Sequence, residues 1–248
     1  MKLSSTPIVV LSPHPDDAVL SCGGLLLHNQ QAAVVTVFSA DPPGPRRKAL
    51  AGLADPILRR AEDALAMDRL GCEYHQLDLP DAIDRGDGDG HPIYSTMNSV
   101  FGSVKPVDSP RCGEIQEAIE PLLAGRTLLC PMAVGAHVDH QLCAHVGRRL
   151  QQEGHDVWFY EDAPYIFPDP GPAVNSDTVM KAARRLRAHV QGDQVEPIDA
   201  FAKAELVSCY SSQIEALFGD LARYRELAAG HYQFLGGEVE RFYKLRLL

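Results

Sequence analysis

The chain has 248 residues, 45% of them hydrophobic, enough to bury the core of one large α/β domain. Its formal net charge of −10 argues against nucleic acid or an anionic membrane as the main partner. No apolar run reaches membrane-spanning length, and Met1-Lys2-Leu3-Ser4-Ser5-Thr6-Pro7 lacks a signal peptide's apolar stretch, which points to a cytoplasmic protein.

In chain order, Ile8-Val9-Val10-Leu11 predicts a buried strand, then comes Ser12-Pro13-His14-Pro15-Asp16-Asp17, and then a helix over 18–27. Residues 33–38 predict a second strand, and 58–70 a helix stopped by Gly71. His75-Gln76-Leu77-Asp78-Leu79 predicts a third, weaker strand. Residues 81–110 break the rhythm with Gly86-Asp87-Gly88-Asp89-Gly90 and a polar stretch to Phe101. They read as a long surface excursion, and the Asp/Gly run lacks the spacing of a calcium loop. A helix follows at 115–123, a fourth strand at 127–131, a helix over 140–152 and a fifth strand at 157–160. Residues 162–176 are Pro-rich, and 200–227 are mostly helical, with the helical pattern resuming at 237–242. This alternation predicts a Rossmann-like layered α/β sandwich. Its sheet is mostly parallel and flanked by helices, with the active site at the carboxyl ends of the strands, and residues 1–248 form one domain. The six cysteines (22, 72, 112, 130, 143 and 209) show no C-x-x-C pairing and read as reduced core thiols.

Two polar clusters share one address, just past the carboxyl end of an apolar strand. The first is His14-Pro15-Asp16-Asp17 and the second is His137-Val138-Asp139-His140. Imidazole and carboxylate suit a borderline metal such as Zn²⁺. If the two strands are neighbours, His14, Asp17 and His140 can supply three ligands, leaving Asp16 and His137 unligated. Alone, an Asp pair at a helix start is often only an N-cap, worth about 1 kcal/mol. Two such clusters after two strands are harder to explain as caps. Gly23-Gly24 within the helix suggests close backbone packing beneath them. There is no G-x-G-x-x-G, no G-x-S-x-G and no P-loop.

Pro13-His14-Pro15-Asp16-Asp17, Gly23-Gly24 and His137-Val138-Asp139-His140 together resemble the PIG-L (LmbE-like) family of zinc-dependent N-acetylglucosaminyl deacetylases. Weaker echoes are Arg59-Arg60-Ala61-Glu62 with Leu70-Gly71, Tyr160-Glu161-Asp162-Ala163-Pro164-Tyr165, Tyr210-Ser211-Ser212-Gln213 and Glu240-Arg241-Phe242. The resemblance implies one Zn²⁺ per chain on His14, Asp17 and His140, with other divalent ions open to the same ligands. It implies Asp16 as general base, and His137 as the group that stabilises the oxyanion and protonates the leaving amine. Asp139 would orient His137 and favour its cation. Two positions depart from the family pattern. Ala18 stands where many members carry Glu, and Gly135 where some carry a mobile Tyr.

The implied activity is removal of an N-acetyl group from an N-acetylglucosamine-type glycoside or related amino-sugar conjugate, through metal-activated water. The alternatives are an amidase of a thiol-sugar conjugate, and an α/β sugar-binding module without catalysis. The partner is a small-molecule amino sugar, with homo-oligomerisation left open. Arg59, Asp81, Arg85 and Tyr165 are the expected substrate contacts, with Tyr94, Asn98 and Phe101 as further candidates.

Overall fold

A computed structural model describes residues 2–41, 55–167 and 177–248, so residues 168–176 of the Pro-rich stretch lie outside the described residues. In chain order the first half holds β1 (Ile8–Ser12), α1 (Asp17–His28), β2 (Ala32–Thr36), α2 (Pro56–Leu70), β3 (Glu73–Gln76), α3 (Met97–Val100) and α4 (Arg111–Ile119). The second half holds β4 (Thr127–Pro131), α5 (Val138–Gln152), β5 (Val157–Tyr160), α6 (Val179–Arg185), β6 (Ala188–Pro197), α7 (Ala200–Val207), α8 (Ser211–Phe218), α9 (Leu221–Leu235) and β7 (Val239–Leu247). The strands form one sheet in the order β3-β2-β1-β4-β5-β7-β6, parallel from β3 to β5 and antiparallel at β7 and β6. The expected Rossmann-like sandwich is therefore present. Among the described residues, no helix is long and apolar enough to cross a membrane.

Strands β1, β2 and β4 are buried along their whole length, as parallel strands covered on both faces must be. Their side chains alternate between two cores. Ile8, Val10 and Val34 face the layer of α1, α2, α7, α8 and α9, while Val9, Leu11 and Val35 face α4, α5 and α6. The six cysteines are unpaired thiols, and all but Cys72 are buried.

Three expectations need correction. The third strand starts two residues early, at Glu73, and is an edge strand with no fully buried position, so apolar content marked it poorly. The chain near 237–242 is not helix but the start of β7. Its partner β6 was not anticipated at all, because it is a largely exposed edge strand carrying Gly192 and a register shift. The excursion over 81–110 is only partly a surface loop. Its tip is exposed, but Ala82, Ile83, Ile93, Tyr94 and Val100 form a small core with Val138 of α5.

The weak echoes turn out to join helices. Glu240 of β7 accepts the Gly24 and Leu25 N–H groups in the middle of α1, both at 2.8 Å, and pairs with Lys203 of α7 at 2.7 Å. Gly24 is needed for this approach, since a Cβ there would lie 2.2 Å from Ile198 Cγ2. Gly71 ends α2 in the left-handed conformation, donating to Met67 and Asp68 carbonyls. On α2, Asp63 accepts from Thr36, Tyr74 and Tyr210 hydroxyls, and Glu62 accepts from Ser211 and Ser212 at the start of α8.

The overlap at Gly24 is testable by denaturant unfolding. Gly24→Ala is expected to cost about 1–3 kcal/mol as an overpacked core position. Gly23→Ala, whose Cβ would meet Lys203 and Val19 at an ordinary 3.4 Å, should cost less. Adding Ile198→Ala to Gly24→Ala should cost less than the two single changes summed, and simple additivity would remove Ile198 as the cause.

Candidate metal and catalytic site

The parallel pairing of β1 with β4 decides the site. Ile8, Val9 and Val10 align with Thr127, Leu128 and Leu129, so the two chains leave the sheet side by side. Strand order reverses between them, β2 following on one side and β5 on the other, which makes the crevice a topological switch point.

After β1 the turn is built by backbone bonds. Val37 and Phe38 donate to the carbonyls of Ser12 and Pro13, and Ser12 Oγ accepts the Ala18 N–H at 2.9 Å. Asp16 is held at φ 111°, a conformation that costs a non-glycine residue energy, and its side chain makes no capping bond. The N-cap explanation of the Asp pair therefore fails. After β4, Ala133, Gly135 and Ala136 all have positive φ. That turn is pinned by Asp162, which accepts the Val134 N–H at 2.9 Å, and by Asp177, which accepts the Gly135 N–H at 3.0 Å.

The two turns bring three imidazoles together: ring nitrogens of His14, His137 and His140 lie within 4.8 Å of one another. Asp17 Oδ2 sits between two of the rings, 3.1 Å from His14 Nδ1 and 3.2 Å from His140 Nε2. Asp162 Oδ1 lies 2.7 Å from His140 Nδ1, the arrangement in which a carboxylate fixes the tautomer of a metal-ligating histidine. His140 Nε2 is buried without a hydrogen-bond partner, being poorly aligned for Asp17 despite its distance. A buried nitrogen with nothing to bond, facing a carboxylate and further imidazoles, is what a divalent cation would complete. The donor set fits a metal.

Electrostatics fit the same picture. Burial alone would lower His14, but Asp81, Asp139 and Asp17 outweigh it and raise the ring to about 10. His140 is likewise depressed by burial yet raised to about 9, chiefly by Asp17 and Asp162. Burial works against the Asp17 carboxylate too, but His140 and His14 hold it well below the usual range. Burial pushes Asp16 up to about 8, with Arg59 pulling it back. Burial, helped by the His14 charge, drives His137 well below its ordinary value.

Several expected roles change. Asp139 does not orient His137 through its carboxylate; instead its own N–H donates to His137 Nδ1 at 3.2 Å. The Asp139 carboxylate accepts from Ala82 N–H at 3.0 Å, lies 3.0 Å from His14 Nε2 and pairs with Arg85 at 2.5 Å. Arg85 is not placed to touch a substrate. Its side chain is wholly buried, bonded to Asp139, Asp108 and the Pro80 carbonyl, between the rings of Phe38 and Tyr94. Tyr94 is buried too, bonded to Asp108, and Asn98 is exposed on α3. Arg59 lies beside the turn after β1, with Nη2 3.1 Å from the Pro15 carbonyl and 3.6 Å from Asp16. Asp81 is 3.8 Å from His14 Nε2 and 4.0 Å from Arg59, and lines a shallow recess with Phe38 and Ser39. Tyr165 and Phe101 stand on the other side, edge-on to His140 and His137. Sequence reading missed Asp162 and Asp108. Asp162 lay within the Tyr160–Tyr165 echo and follows β5 at the same carboxyl edge as the other clusters, two signals that pointed to it.

The PIG-L family, described as GlcNAc-PI de-N-acetylase, matches residues 9–151. The chain belongs to the PIG-L family. A 2'-N-acetylparomamine deacetylase of Streptomyces fradiae is 36% identical over 188 residues, 72% of this chain and 63% of that protein. The match thus spans less than two thirds of that relative's length. A protein of the same name from Niallia circulans is 31% identical over 66% of this chain and 70% of its own length. Among solved structures, the zinc-inhibited form of a teicoplanin deacetylase superposes with a TM-score of 0.77 at 24% identity, covering 96% of this chain and 97% of that one. That last likeness is one of fold.

Arg85 should act on the metal through Asp139 and His14. Arg85→Met leaves Asp139 buried without its cation and frees it to pull on His14. Metal affinity, measured by chelator competition, is expected to fall about 10–100-fold, as for other groups that orient ligands. Arg85→Lys should recover part of it. Unchanged affinity in Arg85→Met would show that His14 is positioned without Asp139.

Proposed function

We propose that this protein is a metal-dependent hydrolase that removes the N-acetyl group from an N-acetylglucosamine-type glycoside or a related amino-sugar conjugate. The observation that carries the reading is the convergence of His14, Asp16, Asp17, His137 and His140 at the switch point, with Asp16 strained and uncapped. The names of the two curated relatives, both deacetylases of an N-acetylated amino sugar, support it. A binding module without catalysis would have no need of all five groups. The sheet draws strands from residue 8 to residue 247, which supports one catalytic domain over 1–248. Unpaired thiols suit a cytoplasmic setting.

In this reading His14, Asp17 and His140 hold the cation, with Zn²⁺ the natural occupant of two imidazoles and a carboxylate. When bound, it supplies Lewis acidity to water and to the amide carbonyl. The remaining work falls to the chain. Asp16, as carboxylate, takes a proton from the attacking water. The Arg59 guanidinium favours that ionised form from 3.6 Å away. His137 Nδ1 already accepts from Asp139 N–H, so the neutral ring carries its hydrogen on Nε2 and donates it as a hydrogen bond to the developing oxyanion. With His137 Nδ1 occupied as an acceptor, the acid role expected of His137 passes in this reading to Asp16, which returns its proton to the departing nitrogen. Water and amide are then balanced by acetate and amine.

The test is acetate release by metal-loaded protein across a panel of N-acetylated amino-sugar glycosides. Asp16→Asn should keep the metal and lose about 10²–10⁴-fold in turnover. The absence of acetate from the whole panel, with good turnover of a non-sugar amide or an ester, refutes the reading.

A pH profile tests Arg59. Activity requires the Asp16 carboxylate, so kcat/KM rises with pH as Asp16 ionises. Removing the neighbouring cation raises that pKa, and Arg59→Met should therefore move the acid limb to higher pH. An unmoved limb would leave Arg59 no part in tuning the base.

A further inference from the structure

The two sides of the site differ in chemistry. Towards the β2 side lie Arg59 and Asp81, a guanidinium and a carboxylate whose side chains are 13% and 12% exposed, groups able to bond hydroxyls. On the opposite side four rings close a circuit. His137 meets Phe101 with centroids 5.3 Å apart, Phe101 meets Tyr165 at 5.7 Å, Tyr165 meets His140 at 5.3 Å, and His140 meets His137 at 5.4 Å. All four contacts are edge-to-face, the preferred packing of aromatic pairs. A sugar ring needs partners for its hydroxyls, whereas an acetyl methyl needs only an apolar surface.

We propose that Phe101 and Tyr165 form the wall that receives the acyl methyl group and limits the enzyme to short acyl chains. This rests on the amide-hydrolase reading above. The wall is rigid for stated reasons. Tyr165 cannot retreat, because it is seated directly on the backbone of Gly135. A Cβ at that residue would lie 2.7 Å from Tyr165 Cγ, and the local φ of 86° also favours glycine. Glycine in the second motif is thus the space that Tyr165 occupies. Phe101 is tethered through its neighbour: Gln141 Nε2 donates to the carbonyls of Gly102 and Ala136, both at 2.7 Å. That amide ties the excursion to the turn carrying His137. Rings already in contact cannot admit further methylenes unless one of them is displaced.

The experiment compares N-acetyl, N-propionyl and N-butyryl forms of one glucosamine glycoside that the metal-loaded wild type deacetylates. A single methylene in an apolar pocket changes kcat/KM by about 10–200-fold. The wild type should therefore favour acetyl over butyryl by about 10²-fold or more. Tyr165→Ala and Phe101→Ala should narrow that ratio to within about 10-fold, and Phe101→Leu should narrow it in part. Tyr165→Phe should keep it, because the ring and not the hydroxyl is the wall. Metal content and melting temperature show that each variant is folded, and the milder Phe101→Leu and Tyr165→Phe keep the comparison open if an alanine variant is not. An unchanged acetyl-to-butyryl ratio in folded alanine or leucine variants overturns the proposal while leaving deacetylation intact. Collapse of the ratio in folded Tyr165→Phe would likewise overturn it, because the hydroxyl and not the ring would then set acyl size. If the metal-loaded wild type deacetylates no glycoside from which to start the series, the amide-hydrolase reading itself falls and the wall with it.

Discussion

The hydrogen-bonded ladder between β1 and β4 is the constraint on which the rest of the site depends. Neither His14-Pro15-Asp16-Asp17 nor His137-Val138-Asp139-His140 is a site alone, and more than a hundred residues of chain separate them. Parallel pairing with β2 on one flank and β5 on the other leaves both chain exits pointing into one crevice. Right-handed crossovers on either side keep helices out of that crevice. The carboxylates and imidazoles gathered there are buried, so each must find a partner or an ion.

Asp139 shows how that requirement is met. Its carboxylate lies against His14, accepts from the Ala82 N–H and pairs with Arg85, itself enclosed by Phe38, Tyr94 and Asp108. Burying a guanidinium is unfavourable without such neutralisation, and the reward is a fixed orientation for the histidine. The same logic holds around His140, where Asp162 fixes one ring nitrogen while also pinning the Val134 turn. His14 and His140 are thus each held by a carboxylate that has a second duty to the backbone.

The periphery is organised by the same kind of buried polar contact. Glu62 and Asp63 fasten α2 to α8 and β2, and so place Arg59 beside Asp16. Glu240 threads β7 against the middle of α1, with Gly24 leaving room for Ile198. Residues that looked like faint echoes of a family are, in space, the bonds that keep the helices around the two polar turns in register with the sheet. The excursion after β3 belongs to this frame too, since its small core closes over Val138 and delivers Arg85 and Phe101.

The amino-acid order alone determined the five parallel strands, most helices between them and the two polar clusters. Apolar runs, helix periodicity and metal-type donors are local signals, legible within ten or fifteen residues. It also singled out Gly24 and Gly71, although not what Gly24 accommodates. What only the tertiary structure decided was who faces whom. Strand β6 was illegible because an exposed edge strand has no apolar pattern, and its pairing with β7 joins segments separated by three helices. Arg85 read as a surface contact because an arginine in a Gly/Asp-rich stretch is usually exposed; three partners and two rings bury it instead. The family resemblance made Asp139 the partner of His137, yet a helix start turns its side chain towards His14. Such assignments depend on long-range contacts between elements, which sequence spacing does not encode.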